Sequence, residues 1–525
     1  MKRNGLLSGS SRHPGRSNIL KGTIILTLAG FITRVIGFFY KIFLSKTMGA
    51  EWLGIYQLVF PVYGICFTIY ATGIQTSISR LVAAEMGRRN PKNAFKILRI
   101  GVILSVSLAL LLSLLVYKNA EFLSVRFLLE PRSASSLRLL ALVFPFCGVT
   151  SCINGYYYGL KRAGVPATTQ LLEQLVRVIV VYLMALYVGN GDFRVTCEMA
   201  VIGLVIGEVA SSIYNLISIF VTKSPASLLL QGPDPKAKAS GRKLVLKNIL
   251  SMSVPLSANR LFINILHSME AVLIPAMLRR FGFSTGEALS SFGILNGMSM
   301  PFIMFPTAVI NALAVLLLPT ISEAQAVNNE KLIGKTTSIS IKYSLIIGII
   351  STGIFIIFGR ELGKAVFHNT EAGDYLIILA WICPFIYLTT TLGSIINGLG
   401  KAHITFINSV VGSLSRILMI VILIPKLGMQ GYLAALLVGQ LFVTSLDTFA
   451  VIRHVHFPFQ AVDSLLKPGL IVAFAGFLLK SVYEYVQKIT QINSAVLILS
   501  FCLLFCVMSI ALSLITNTVS KKDFR

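Results

Sequence analysis

Acidic residues are scarce in this chain. Only 20 of its 525 residues are Asp or Glu, against 46 Lys or Arg, and charged residues of both signs make up 13%. Soluble domains carry roughly 25% charged residues. Together with a mean hydropathy of +0.80, this composition excludes a soluble protein and predicts membrane spans along the whole chain. The net charge of +26 is typical of basic loops in multi-span proteins, so we expect no nucleic-acid partner.

The sequence also lacks several catalytic and metal-binding motifs. The seven cysteines form no CxxC pair or Cys/His cluster, which excludes a disulfide framework and gives no support to a metal site. The sequence shows no nucleotide-binding loop, no nucleophile–base set and no acidic pair on an outer loop. We therefore expect neither an enzyme nor a cofactor. The N-terminal segment lacks the apolar core and cleavage site of a secretory signal.

Apolar runs account for most of the chain. A helix needs about 20 apolar residues to cross the hydrocarbon layer, and this rule predicts fourteen spans in an all-α integral membrane fold. The predicted spans are 22–45, 53–79, 95–117, 134–158, 164–188, 198–221, 247–277, 288–318, 337–358, 373–399, 402–425, 430–452, 467–487 and 492–516.

The Lys and Arg residues collect in alternate loops, and the richest are 80–96 and 222–247. The positive-inside rule then predicts a multi-pass protein of the bacterial cell membrane with both termini cytoplasmic. We expect five regions in order along the chain. They are a basic tail (1–21), a first lobe of six spans (22–221), a linker (222–246), a second lobe of six spans (247–452), and two last spans with the C-terminus (453–525).

An internal repeat relates the two lobes. Aligning the chain from residue 20 with the chain from residue 246 matches polar and proline residues in one order. The matched pairs are Arg34 with Arg260, Pro61 with Pro301, Glu85 with Glu323, and Arg177 with Arg416. Six spans separate the copies, so both have the same orientation. This predicts a pseudo-twofold axis along the membrane normal, as in transporters built from parallel repeats.

Two cations interrupt the first span. Arg34 lies at its centre and Lys41 seven residues later, on a helical face that also carries Gly30 and Gly37. A cation inside a membrane is costly and persists when it lines a wet cavity or has a partner. No acidic residue lies within the span. We therefore expect these cations to attract an anion into a central cavity.

The seventh span carries a polar stripe at helical spacing, formed by Ser253, Ser257, Arg260, Asn264 and His267. By the repeat, the stripe faces the Arg34 face across the pseudo-axis. The expected substrate-binding set of one central cavity is therefore Arg34, Lys41, Ser257, Arg260, Asn264 and His267. The alternative is structural, with the arginines paired to Glu270 or Glu208.

Weaker candidates lie on other spans. Arg177 has Glu173 one turn before it and can pair with it on the same helix. Arg416 has Gly412 at the equivalent position, so both arginines are secondary candidates, with structural and functional roles left open. The acidic residues that could couple transport to an ion are Glu208, Glu270 and Asp447.

Two segments carry a family resemblance. LKGTIILTLAGFITRVIGFFYKIFLSKTMGAEWLGIYQLVFPVYGI (20–65) and TGIQTSISRLVAAEMGRRN (72–90) are similar to the polysaccharide flippases of the stage V sporulation protein B family. These belong to the multidrug/oligosaccharidyl-lipid/polysaccharide superfamily. The resemblance implies a V-shaped, two-lobed transporter that works by alternating access on lipid-linked sugar precursors such as lipid II. It also implies a role in spore cortex peptidoglycan or polysaccharide assembly, with cell-wall or polysaccharide polymerases as partners.

The resemblance also implies site residues. Related lipid II flippases carry cavity arginines on their first helix, and one of them matches Arg34. A second one matches Tyr40, with Lys41 beside it, so the headgroup contacts differ here. In these relatives the last two helices form a groove for the lipid tail, which would be 467–487 and 492–516. Three alternatives stay open: a cation-coupled multidrug exporter of the same fold, a membrane enzyme of wall assembly, and a non-transporting scaffold.

Overall fold

The computed structural model describes residues 14–188, 193–221, 241–489 and 493–519, and these residues form helices joined by short turns. Most of the predicted tail and linker, residues 1–13 and 222–240, lies outside the described ranges. Within these ranges twelve helices are long and apolar enough to cross a membrane, and two bent helix pairs bring the number to fourteen spans, which we number α1 to α14. They are α1 Pro14–Met48, α2 Ala50–Gly87, α3 Pro91–Lys118, α4 Pro131–Ala141 with Phe144–Gly159, α5 Gly164–Val188, α6 Cys197–Val221, α7 Arg242–Phe281, α8 285–304 with Thr307–Ala326, α9 Glu330–Phe367, α10 Thr370–Ala380 with Cys383–Gly398, α11 Ala402–Leu427, α12 Met429–His454, α13 Val462–Ile489, and α14 Ser494–Ile515.

The predicted number of spans is confirmed, and the differences lie at their ends and breaks. α1 begins at Pro14 rather than 22, and α7 begins at Arg242 rather than 247. Hydropathy marks only the part of a helix that lies in lipid, whereas the helix itself continues into polar residues. The eighth span is longer than 288–318 and is interrupted at Pro306, because proline has no N–H to donate and its ring clashes with the preceding turn.

Two spans are bent at equivalent places. The two parts of α4 meet at 48° and those of α10 at 53°. In each case the second part has a proline in its first turn, Pro145 in α4 and Pro384 in α10. These prolines have the same separation along the chain as Arg177 and Arg416, and we call this separation the repeat offset. The bends therefore belong to the repeated unit.

The turns confirm the repeat at the level of single residues. Three non-glycine turn residues of the described first half have left-handed backbone, and each has a left-handed partner at the repeat offset. The pairs are Arg89 with Asn328, Leu129 with His368, and Lys161 with Gly400. The repeat offset also joins the helix caps Asn90 and Asn329, which each accept a backbone N–H three residues on. This register moves the expected pairing of Glu85 with Glu323 by one residue, to Ala324.

The two lobes meet where α2 crosses α8. A Cβ atom on Gly54 would lie 2.1 Å from the carbonyl oxygen of Leu289, and one on Gly293 would lie 2.1 Å from that of Ala50. Ala50 and Leu289 are themselves related by the repeat offset, so the contact is reciprocal about the pseudo-twofold axis. Only glycine permits backbones to approach so closely, which is a common basis of helix association in membranes.

The last two spans attach to the second lobe through α9. Gly353 of α9 packs against Val472 of α13 and Phe505 of α14. Lys480 of α13 forms an ion pair with Glu361 of α9 and lies over the ring of Phe358 at 5.8 Å. These contacts fix α14 beside α9, where it borders the opening described below.

Candidate functional site

A cavity with cationic walls lies between the lobes and is bordered by α1, α2, α5 and α8. Its volume is about 600 Å³. We call it the cationic cavity. Its lining residues are Arg34, Gly37, Phe38, Tyr40, Lys41, Leu44, Tyr56, Gln57, Phe60, Gln174, Arg177, Pro301, Met304, Phe305, Thr307 and Asn311.

The two cations of α1 are unpaired in this cavity. The Arg34 side chain is exposed and donates through Nη1 to Thr307 Oγ1 of α8 at 3.4 Å, which is a long, weak hydrogen bond. Within the described ranges, neither Arg34 nor Lys41 forms an ion pair with an acidic residue. Both positive charges are thus available to a ligand.

Arg177 contributes a third cation, and the second guanidinium, to the same cavity. It pairs with Glu173 on its own helix, as its spacing predicts, and donates to Gln174 Oε1 at 3.1 Å. Its Nε and the hydroxyl of Tyr40 are buried and have no hydrogen-bond partner in the described protein. Buried donors are normally satisfied, so these two atoms mark places where a bound molecule or water completes the site.

A second cavity lies across α2 and is bordered mainly by α7, α8, α11 and α12. Its volume is about 420 Å³. We call it the amide cavity. Its lining residues are Gln57, Phe60, Pro61, Gly64, Asn264, His267, Ser268, Glu270, Ala271, Ile274, Phe292, Asn296, Met300, Arg416, Tyr432 and Leu436.

Arg416 is neutralised in the amide cavity. Its Nε lies 2.9 Å from Glu270 Oε1 and 3.0 Å from Glu270 Oε2, and both side chains are mostly buried. The pair joins α11 to α7, so Glu270 pairs with Arg416 and not with Arg34 or Arg260, for which the structural alternative had offered it. The amide cavity therefore has no free arginine or lysine among its described walls.

The polar stripe of α7 does not face Arg34 across one cavity. Ser257 donates to the Thr68 carbonyl oxygen at 3.2 Å, and Asn264 Nδ2 donates to Thr68 Oγ1 at 2.6 Å. Both residues therefore hold α7 against α2. Arg260 is exposed and lines a further pocket of about 280 Å³, which shares Gly64 and Asn264 with the amide cavity, whereas His267 lines the amide cavity itself. Helical periodicity predicts that these side chains share one face of α7. In the structure α2 packs against part of that face, so some of the side chains contact α2 and the others line pockets.

The contacts also correct the partner of Arg34. Arg34 donates to Thr307, and Asn264 donates to Thr68, and the repeat offset relates these two threonines. Arg34 is therefore equivalent to Asn264, one turn beyond the expected Arg260. Equivalent residues of α1 and α7 are thus separated along the chain by less than the repeat offset. The equivalent cavity-lining positions are Arg34 and Asn264, Gly37 and His267, Phe38 and Ser268, Tyr40 and Glu270, Lys41 and Ala271, and Leu44 and Ile274.

The candidates for ion coupling lie apart from one another. Glu208 is buried in α6 and accepts from Ser211 Oγ at 3.0 Å. Asp447 is buried in α12 and accepts from Asn408 Nδ2 at 2.8 Å, and Glu270 is occupied by Arg416. Within the described ranges no three His, Cys, Asp or Glu side chains are grouped as metal ligands. A coupling role for these acids stays a prediction.

An apolar groove adjoins the cationic cavity. Its volume is about 680 Å³, and Phe38 and Phe305 line both spaces. Its walls come from α1, α8, α9 and α14, including Leu499, Cys502 and Leu503 of α14. α13 lines no part of it and instead supports α14 from behind, so only one of the two expected helices forms the groove.

Sequence reasoning missed Gln57, Asn296 and Thr307. The repeat offset relates Thr68 to Thr307 and Gln57 to Asn296, so the repeat register was the signal that could have found them. The alignment instead paired Pro61 with Pro301, which lies one residue beyond the repeat offset and hides these pairs.

Comparison with known proteins agrees with this architecture. The profile of the family described as "Polysaccharide biosynthesis protein" matches residues 19–325, and the MatE profile matches residues 261–422. Two solved structures share the fold. One is the lipid II flippase MurJ in an inward closed conformation, with a TM-score of 0.66, 15% identity, and 95% of this chain and 99% of that chain covered. The other is a MATE family multidrug transporter in an inward-facing conformation, with a TM-score of 0.64, 15% identity, and 80% and 94% covered.

The curated relatives have similar lengths. Stage V sporulation protein B of Bacillus subtilis (strain 168) is 24% identical over 476 residues, which cover 90% of each chain. Lipid II flippase MurJ of the same organism is 22% identical over 465 residues, which cover 85% of this chain and 84% of the relative. Fold and site thus define a multi-pass membrane transporter of the multidrug/oligosaccharidyl-lipid/polysaccharide superfamily. Within that superfamily, the chain belongs to the polysaccharide biosynthesis protein family.

Proposed function

We propose that this protein is a flippase that moves an anionic lipid-linked saccharide, a lipid II-like or undecaprenyl-diphosphate-sugar precursor, across the cytoplasmic membrane by alternating access. One observation carries the proposal. A cavity with unpaired cations opens beside an apolar groove, and Phe38 and Phe305 belong to both. A diphosphate lipid has the matching shape, because its anionic headgroup is joined directly to a long hydrocarbon tail.

The cationic cavity suits a diphosphate. Arg34 and Lys41 have no acidic partner among the described residues, and Arg177 Nε is an unused buried donor. Arginine donates from a planar fork that matches phosphate oxygens, and lysine supplies a compact charge. Exclusion of water by the bound headgroup would strengthen these contacts further.

The apolar groove suits the tail. It lies between α1, α8, α9 and α14 and is lined almost entirely by aliphatic and aromatic side chains. A tail held there stays in a hydrocarbon-like environment while the headgroup enters the cavity. The headgroup therefore crosses without drawing the tail through a polar space, which would be costly.

The α2–α8 crossing lies beside the cavities, because Gln57, three residues after Gly54, lines both of them. It lies near the α1–α2 and α7–α8 turns, which the positive-inside rule places outside. Opening toward that side requires the backbones at Gly54 and Gly293 to separate.

Both termini are then cytoplasmic, and the protein acts in peptidoglycan, spore cortex or polysaccharide assembly beside a polymerase.

The charge of the cavity disfavours a cation-coupled multidrug exporter. Such a protein would gain from a free carboxylate facing its cargo. Glu270, which lines the amide cavity, is bound by Arg416, and Glu173, one helical turn before Arg177, is bound by Arg177. The free charges that face the cavity space are positive.

Headgroup translocation in proteoliposomes tests the proposal. Fluorescent lipid II and undecaprenyl-diphosphate-N-acetylglucosamine are offered to the wild type, to Arg34→Gln/Lys41→Gln, and to Arg280→Gln. Arg280 is an exposed arginine at the end of α7 outside the cavities, so it is the matched control. Hydrogen bonds to charged groups contribute about 1.5–3 kcal/mol each, so we expect the double variant to lose about 100-fold or more in apparent affinity.

Two outcomes contradict the proposal. Equal translocation by the double variant and the wild type would show that these cations do not bind the headgroup. Transport of a cationic dye but of neither lipid by the wild type would favour the exporter.

A further inference from the structure

The amide cavity is rich in neutral hydrogen-bonding groups. Its charged arginine is bound to Glu270, and the other polar side chains that reach the space include Gln57, Asn296 and His267. A side-chain amide both donates and accepts hydrogen bonds. Such walls match the hydroxyl and acetamido groups of a sugar, which also donate and accept.

Gln57 and Asn296 occupy equivalent positions of the repeat. Each follows its crossing glycine, Gly54 or Gly293, by three residues, so each lies about one turn from the crossing. Asn296 lies in a π-helical turn, Ile294–Ser299, and such turns occur frequently at functional sites. Its Nδ2 makes only a long 3.4 Å contact with the Phe292 carbonyl oxygen, and its Oδ1 has no partner among the described residues.

The amide cavity adjoins the cationic cavity at α2. Gln57 and Phe60 line both spaces. A diphosphate held by Arg34 and Lys41 would therefore place its attached sugar past Gln57 and toward Asn296. The volume of about 420 Å³ lies within the range of about 300–1,000 Å³ that is usual for small-molecule sites.

We propose that the amide cavity is the saccharide subsite of the flippase and holds a neutral sugar, with Asn296 and His267 as residues that determine specificity. The inference rests on the proposed function, because it assigns the second part of the same substrate. A neutral sugar fits better than an acidic one, because Arg416 is bound to Glu270 and an added carboxylate would face Glu270 with no free guanidinium among the residues that line this cavity.

The test compares the binding of three lipids to purified protein in nanodiscs by native mass spectrometry. They are undecaprenyl diphosphate, the same lipid carrying N-acetylglucosamine, and the same lipid carrying glucuronic acid. The wild type is compared with Asn296→Leu and His267→Leu, which alter the amide cavity alone. Gln325→Met changes an exposed amide outside the cavities and is the matched control.

We expect the wild type and the control to bind the N-acetylglucosamine lipid about tenfold more tightly than the bare diphosphate, and more tightly than the glucuronic acid lipid. One or two neutral hydrogen bonds correspond to a change of about three- to tenfold. Asn296→Leu should therefore reduce the preference by that factor without changing the affinity for the bare lipid. His267→Leu should act in the same direction, and bare-lipid binding reports that each variant is folded.

Different results overturn different claims. If the bare lipid binds the wild type well but both cavity variants retain the sugar preference, the saccharide subsite is wrong and the flippase proposal stands. If the wild type prefers the glucuronic acid lipid, the neutral character of the subsite is wrong. If no lipid binds and the Arg34→Gln/Lys41→Gln variant behaves as the wild type, the proposed function itself fails.

Discussion

The α2–α8 crossing makes a sharp prediction about stability. In Gly54→Ala the added Cβ would lie 2.1 Å from the carbonyl oxygen of Leu289, whereas ordinary Cβ contacts begin at 3.4 Å. The neighbour is backbone, so relief requires the two helices to separate by most of the difference between these distances. Overpacking of this kind costs about 1–3 kcal/mol. Alanine is more favourable than glycine inside a helix by about 0.5–1 kcal/mol, which offsets part of this cost. The free energy of unfolding should therefore fall by about 1–2 kcal/mol.

Gly64→Ala is the matched control, because Gly64 lies on the same helix and a Cβ there meets nothing within 4 Å. Thermal unfolding of detergent-solubilised protein measures the difference. For units of 150–250 residues, 1 kcal/mol corresponds to about 2–4 °C in Tm. We expect Gly54→Ala to lower the apparent Tm by several degrees and Gly64→Ala to leave it unchanged or raise it slightly.

The reciprocal geometry adds a second test. Gly293→Ala should destabilise by the same amount as Gly54→Ala, because its Cβ meets the Ala50 carbonyl oxygen at the same distance. One separation of the helices relieves both clashes, so the double variant should lose clearly less than the two single losses combined. An unchanged Tm in Gly54→Ala, or full additivity in the double variant, would refute a tight reciprocal crossing.

Three further predictions concern the cavities. Leu503→Trp, which fills the apolar groove, should abolish lipid translocation in proteoliposomes, whereas Leu504→Trp on the neighbouring lipid-facing position should not. Glu270→Leu should cost about 3–5 kcal/mol in thermal unfolding, because Arg416 stays buried and unpaired, and Glu270→Leu/Arg416→Met should recover most of that loss. Arg260→Gln should leave binding of undecaprenyl diphosphate within about twofold of the wild type, because Arg260 does not line the cationic cavity. A loss equal to that of the Arg34→Gln/Lys41→Gln variant would contradict this assignment.

The number of spans and the repeat could be predicted because they depend on short-range properties of the sequence. A run of apolar residues long enough to cross lipid has few alternatives to a helix. The bends at Pro145 and Pro384 follow from the chemistry of proline at those positions. Even the pairing of Arg177 with Glu173 follows from their spacing on one helix.

The division of the cavity could not be predicted in the same way. Periodicity assigns Ser257, Arg260 and Asn264 to one face of α7, but it does not say which helix covers that face. α2 does so, and it uses Ser257 and Asn264 as interhelical hydrogen-bond donors. The partner of Arg416 was likewise out of reach, because Glu270 lies 146 residues away and only the packing of α7 against α11 joins them.

The interiors of the two lobes differ because a few residues differ at equivalent positions of the two repeat copies. Arg34 and Lys41 of α1 correspond to Asn264 and Ala271 of α7, so at these two cavity-lining positions the first copy has free cations and the second copy has neutral residues. The acidic partner also changes place. Arg177 pairs with Glu173 on its own helix, where the second copy has Gly412, whereas Arg416 pairs with Glu270, where the first copy has Tyr40.

These exchanges have different consequences for movement and for binding. The Glu173–Arg177 pair lies within α5 and stays intact however the helices move. The Glu270–Arg416 pair joins α7 to α11 and holds the walls of the amide cavity at a fixed separation. A pseudo-symmetric pair of lobes thereby presents an asymmetric interior, with free positive charge on one side and neutral donors and acceptors on the other. A diphosphate-sugar has the same two-part polarity, and the exchanges on α1 and α7 are sufficient to orient it between the lobes.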